Sequence, residues 1–250
     1  MSLLHAEYLK VSRRWLFPIM TAVLGVLVVL GAFATILLPK FSDEVPTIVT
    51  KPEVYLFGAQ QAVQTWFPVI LAAVFLGSEF STTAWASALT RDPRRVLQIN
   101  ARLLTISAAS WLAFVLGAAA FAIIAAVAAE GTGSLSVTEW LDITWRLGLV
   151  ALAWTSLGLA AVAIFRSVGP AIGVGLALSV GEGFLALWPA YADLSLTAAG
   201  AALFPVELGG LFGAFIPSIS RPLWELVVVV LAWTAAGFAL TWWGLQRRDA

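Results

Sequence analysis

The chain has 250 residues, of which 61% are hydrophobic and 11% charged, with a mean hydropathy of +0.94. A soluble domain carries about 25% charged residues, so this composition excludes a water-soluble globular protein and points to lipid as solvent. The net charge of +0 gives no global attraction to nucleic acid; cysteine is absent and the single histidine is His5, near the start, which excludes disulfides, thiolate chemistry and histidine catalysis within the membrane.

Residues 1–14 predict a short interfacial helix, with Leu4, Tyr8 and Val11 on one face and Glu7, Lys10 and Arg14 on another. The apolar run at 15–38 follows Lys10, Arg13 and Arg14 and contains Ala32-Phe33-Ala34, which imitates a signal peptide. It exceeds the roughly 7–15 residues of a signal-peptide core, so it reads as a retained first span. A polar loop with Asp43, Glu44 and Pro46 follows. Thr50-Lys51-Pro52-Glu53 has capping-box spacing, so the second span starts outside the bilayer, runs to about Gly77 and bends near Pro68.

Residues 78–102 are the most polar stretch. Arg94, Gln98 and Arg102 recur every four residues while Val96, Ile99 and Leu103 lie on other sides, the pattern of a helix on or entering the membrane surface. The third span covers about 103–129. Ser136-Val137-Thr138-Glu139 offers a second capping box for a fourth span at 140–165. Arg166 marks a tight turn, and Pro170 is tolerable near the start of a fifth span at 168–188. Within 189–222, two apolar pieces at 194–204 and 206–216 are divided by Pro205, each short of the roughly 17 residues needed to cross. They read as re-entrant or interfacial helices. The sixth span covers 223–244.

The expected fold is therefore all-α: one polytopic transmembrane domain over 1–250 with about six transmembrane helices. It adds an interfacial helix at 1–14, an amphipathic segment at 78–102 and a re-entrant segment at 189–222. The positive-inside rule places both termini in the cytoplasm, with Arg91, Arg94, Arg95, Arg102, Arg166, Arg247 and Arg248, and leaves Lys40, Lys51 and Arg221 outside. A seventh span at 194–216 would send Arg247 and Arg248 outside. Trp15, Trp242 and Trp243 fit one interface and Trp140, Trp188 and Trp224 the other; Trp66, Trp154 and Trp233 fall near mid-membrane, where helix packing is the plainer reading over lining a path.

No Gly-Lys-Ser/Thr phosphate loop, Gly-x-Ser-x-Gly or His-Glu-x-x-His occurs. What remains is charge and polarity in apolar surroundings. Glu182 in the fifth span is either a structural partner or a pathway residue. Asp142 and Arg146 are spaced to pair at i,i+4. Gln60 and Gln64, also i,i+4, line a polar vestibule or cap an exposed helix end, and with Trp66 they are the remaining candidates for a substrate path. Gly169, Gly173, Ala177 and Gly181 repeat every four residues, a groove where another helix approaches closely, in this chain or in a second copy.

Gly77-Ser78-Glu79-Phe80-Ser81-Thr82-Thr83, then Leu89-Thr90-Arg91-Asp92-Pro93-Arg94-Arg95 and Ala101-Arg102-Leu103, resemble the pattern of type-2 ABC exporter permeases. Glu79 matches the acidic end of the second helix, Thr83 the threonine, Arg94 or Arg95 the arginine, and Arg102 the basic residue entering the third helix; Thr82 stands where the family carries glycine. Ala6-Glu7-Tyr8-Leu9-Lys10 and Arg247-Arg248-Asp249 are also similar to family ends.

The resemblance implies a multi-pass cell-membrane permease of bacterial type. It would pair with a second permease and dock two cytoplasmic ABC ATPase subunits through the segment holding Glu79, Thr83, Arg91, Arg94, Arg95 and Arg102. ATP and magnesium would be bound by the partner ATPase, and no cofactor by this chain. The substrate expected is a hydrophobic or amphipathic drug, antibiotic, peptide or lipid, moved outward; nucleic acid is not an expected partner. The competing classes are a secondary transporter or channel, which should show internal repeats and several mid-membrane ionisable residues, and a membrane-embedded scaffold or enzyme. ATPase activity that depends on a co-purified nucleotide-binding subunit separates the permease from these.

Overall fold

A computed structural model describes residues 7, 9, 15–37, 51–82, 95–128, 135–205 and 221–246. The interfacial helix expected at 1–14 falls outside this set apart from Glu7 and Leu9, both helical. The described residues form helices and no strands: α1 (Leu16–Ala32, continued by a π-helical turn at Phe33–Leu37), α2 (Lys51–Ala62), α3 (Trp66–Ser81), α4 (Arg95–Ala128), α5 (Val137–Phe165), α6 (Val168–Leu185), α7 (Pro189–Ala192), α8 (Leu196–Ala202) and α9 (Leu223–Gln246). Six stretches among them are long and apolar enough to cross a membrane, α2 and α3 together making one.

Helix α5 is the central pillar. Residues 153–163 are buried without interruption, and most of them are small: alanine, serine, threonine or glycine. In lipid, helices gain little from hiding apolar surface, so association depends on close packing, which small side chains permit. Accordingly α3, α4, α6 and α9 all pack on α5. At Gly158 an added Cβ would lie 2.9 Å from the Ala72 Cβ and 3.0 Å from the Val69 Cα, so α3 and α5 touch almost backbone to backbone. Gly237 gives α9 the same intimacy with Ser156. The outer helix α1 instead buries one seam at four-residue spacing, Met20, Leu24, Val28 and Ala32, and it packs on α4.

Local signals explain the ends of α5. Ser136 caps it in a full capping box: the Ser136 Oγ accepts from the Glu139 N–H, and the Glu139 carboxylate accepts from the Ser136 N–H at 2.7 Å. At the other end Arg166 adopts the left-handed conformation, φ 52°, and its N–H donates to the Val162 carbonyl. An L side chain is costly there, and the Arg166 guanidinium lies 5.7 Å from the Phe80 ring centroid.

Two expectations are refined. The bend expected near Pro68 is a break in the second span, at residues 63–65. Pro68 sits in the first turn of α3 and has no N–H to offer the Gln64 carbonyl, which instead accepts from the Phe67 N–H at 2.9 Å in a tighter turn. The third span also starts earlier than expected, because α4 is continuous from Arg95. Its 34 residues rise about 51 Å against a hydrocarbon core of about 30 Å, so the amphipathic 95–102 stretch is a rigid extension of the span.

Candidate functional site

Two polar sites stand out, one at an end of the helix bundle and one within it. At the end formed by the C-terminus of α3 and the N-terminus of α4, Arg102 donates to the Glu79 Oε2 from both Nη2 (2.5 Å) and Nε (3.1 Å). Arg102 Nη1 also donates to the Gln98 carbonyl and side-chain oxygens, each at 3.2 Å. Glu7 approaches the same guanidinium at 3.7 Å. Glu79, Gln98 and Arg102 are all buried. A charge out of water is tolerated only when paired and hydrogen-bonded, and here one guanidinium is held by carboxylates from two other segments of the chain. Thr83, Arg91 and Arg94 lie outside the described residues; Arg95 opens α4. The sequence placed Glu79 and Arg102 in one functional segment but did not foresee that they bind each other, nor that Glu7 and Gln98 join them. Only the i,i+4 spacing of Gln98 and Arg102 hinted at it.

The second site lies where the span of α2 and α3 is interrupted. Gln60 at the end of α2 and Val63 and Thr65 of the break face Trp154 of α5 and Thr197 and Phe204 around α8 across a cavity of about 170 Å³. Thr65 is further tied to Ser179 of α6 by a hydroxyl–hydroxyl hydrogen bond. A helix broken at membrane depth is tolerated where protein or a cavity receives its loose backbone groups. Of the residues read as a possible path, Gln60 lines this cavity. Gln64 and Trp66 bond each other, the indole N–H donating to the Gln64 Oε1 at 3.1 Å. Trp154, expected to serve packing, is both fully buried and a cavity wall.

Glu182 is buried and acts as an anchor for α8. It accepts from the Ser195 hydroxyl (2.6 Å) and from the Leu196 and Thr197 N–H groups (2.6 and 2.8 Å), which open that helix. Tyr191 also bonds this carboxylate; burial, and then the Glu182 charge and hydrogen bond, raise the phenol's pKa above its ordinary value. Of the two readings of Glu182, this geometry suits the structural partner. Ser195 as an N-cap was a signal available in the sequence. Asp142 and Arg146 pair as expected, and Arg146 also donates to the Leu203 carbonyl at 2.6 Å, fastening the end of α8 to α5. Arg221 bridges Asp193 and Glu225 at 2.7 and 3.3 Å, and the Trp233 indole donates to the Leu194 carbonyl at 2.8 Å.

The small-residue stripe on α6 behaves differently from its neighbours. An added Cβ at Gly169, Gly173 or Gly181 meets nothing within 4 Å, and Ala177 is exposed. Within this chain α6 packs through another face, where Val69 fills the space beside Gly175. Among the described residues no three His, Asp or Glu side chains converge as metal ligands. Compared with known proteins, the chain matches no family model and no curated protein.

Proposed function

We propose that this multi-pass membrane protein is the permease subunit of an ATP-driven exporter, moving a hydrophobic or amphipathic substrate with a second permease and two separate cytoplasmic ATPase subunits. The observation that carries this reading is the buried Arg102–Glu79 pair. It clamps the end of α3 to the start of α4 within residues 78–102, the stretch that resembles the docking segment of exporter permeases. A force applied to that stretch would reach two spans at once, as a rigid handle requires, and would bias a two-state helix packing. ATP and magnesium belong to the partner in this scheme.

The broken second span beside a cavity favours one alternative, a secondary transporter, since discontinuous helices often mark substrate sites in that class. The two readings separate by experiment. Tagged chain purified from its native membrane should bring down a P-loop ATPase with ATP hydrolysis, and Arg94→Glu with Arg95→Glu should remove that activity while the permease stays inserted. Purification of the chain with no ATPase, or full co-purified activity in the double variant, sinks the exporter reading.

A further inference from the structure

The cavity at the break in the second span holds a combination that the permease reading does not use. Its volume of about 170 Å³ is close to the roughly 150 Å³ apolar cavity that accommodates benzene. The walls are mainly carbon: Trp154, Phe204 and Leu196 are almost fully buried, and Val63 and Val150 lie beside them. No charged side chain lines the space. Two lining residues break the apolar pattern, because Gln60 Oε1 and Thr197 Oγ1 are buried with no hydrogen-bond partner. A buried polar atom left unpaired costs about 1–3 kcal/mol, so the site gains most from an occupant that is apolar in bulk and brings a donor. An anion would lack that donor, and a cation would find no carboxylate on the wall.

We propose that this cavity binds a neutral, ring-sized amphiphile carrying one hydroxyl or N–H group, its apolar body against Trp154 and Phe204 and its donor on Gln60 Oε1. The binding is a property of this chain alone and does not rest on an ATPase partner. The test is fluorine NMR of the purified chain in lipid nanodiscs, titrated with para-fluorophenol or with fluorobenzene, with empty nanodiscs as the blank for partition into lipid. Saturable binding of para-fluorophenol is expected, weakened about tenfold in Gln60→Leu, whereas fluorobenzene should not respond to that substitution. Gly200→Leu should fill the cavity and abolish binding of both probes, since an added Cβ there has Val150 at 3.8 Å as its nearest contact and therefore room to enter. Thermal unfolding of each variant separates loss of the site from loss of the fold. No saturable signal above the empty nanodisc, which leaves the cavity to water alone, would overturn the proposal. So would an unchanged para-fluorophenol affinity in both folded variants.

Discussion

Arg102 has carboxylates of two other segments around it, Glu79 at 2.5 Å and Glu7 at 3.7 Å; Arg102 and Glu79 are buried and Glu7 is partly so. Such an arrangement adds little stability over an apolar replacement, but breaking it is expensive because one charge is left buried. Glu79→Ala is therefore expected to cost about 3–5 kcal/mol, read as a lower unfolding midpoint of the purified protein, and exchanging the two residues (Glu79→Arg with Arg102→Glu) should recover part of the loss. An unchanged midpoint in Glu79→Ala would show that the pair does not hold α3 to α4. The sequence displayed both residues as charges near a predicted membrane surface. It did not display the pairing, since they are 23 positions apart and spacing rules on one helix reach only three or four.

At the scale of elements, glycine has two distinct uses that look alike in sequence. Gly158 of α5 lies in the α3–α5 contact, where any side chain collides with backbone, whereas Gly173 of α6 faces open space. Gly158→Leu should destabilise the chain by about 1–3 kcal/mol or more. Gly173→Leu should leave its unfolding midpoint unchanged and alter only association with a second copy, followed by cross-linking along α6 in the membrane. A fall in the midpoint for Gly173→Leu equal to that for Gly158→Leu would mean that α6 packs through its stripe within one chain. The four-residue repeat made the exposed α6 stripe conspicuous, yet Ala171, Gly175, Ser179 and Gly183 repeat at the same spacing on that helix, and it is Gly175 that packs closely, against Val69.

For the whole molecule, Arg102 and Arg166 lie at the end of the bundle where α3 ends, Arg102 on Glu79 and Arg166 beside Phe80. The positive-inside rule, applied to the sequence, predicts that this end is cytoplasmic. The natural absence of cysteine makes a direct test simple. In sealed cells an impermeant maleimide should label Glu139→Cys, whose site is exposed, and should label Val96→Cys, also exposed, only after permeabilisation. The reverse result would invert the bundle.

What the sequence determined by itself was mostly covalently local. Apolar runs of crossing length placed all six spans, the Ser136 capping box and Arg166 marked the ends of α5, and the prolines warned of interruptions around 63–68 and 189–205. Hydropathy acts over about 20 contiguous residues and a cap over four, so both are legible in one dimension. Only the tertiary structure decided which polar groups meet: Glu182 with the start of α8, Arg102 with Glu79, and Gln60 and Thr197 around a shared cavity. In lipid a buried polar group must find its partner inside the protein, and that partner comes from whichever helix the packing of small residues brings near. Such a choice depends on how six helices fit together, which no stretch of sequence carries alone.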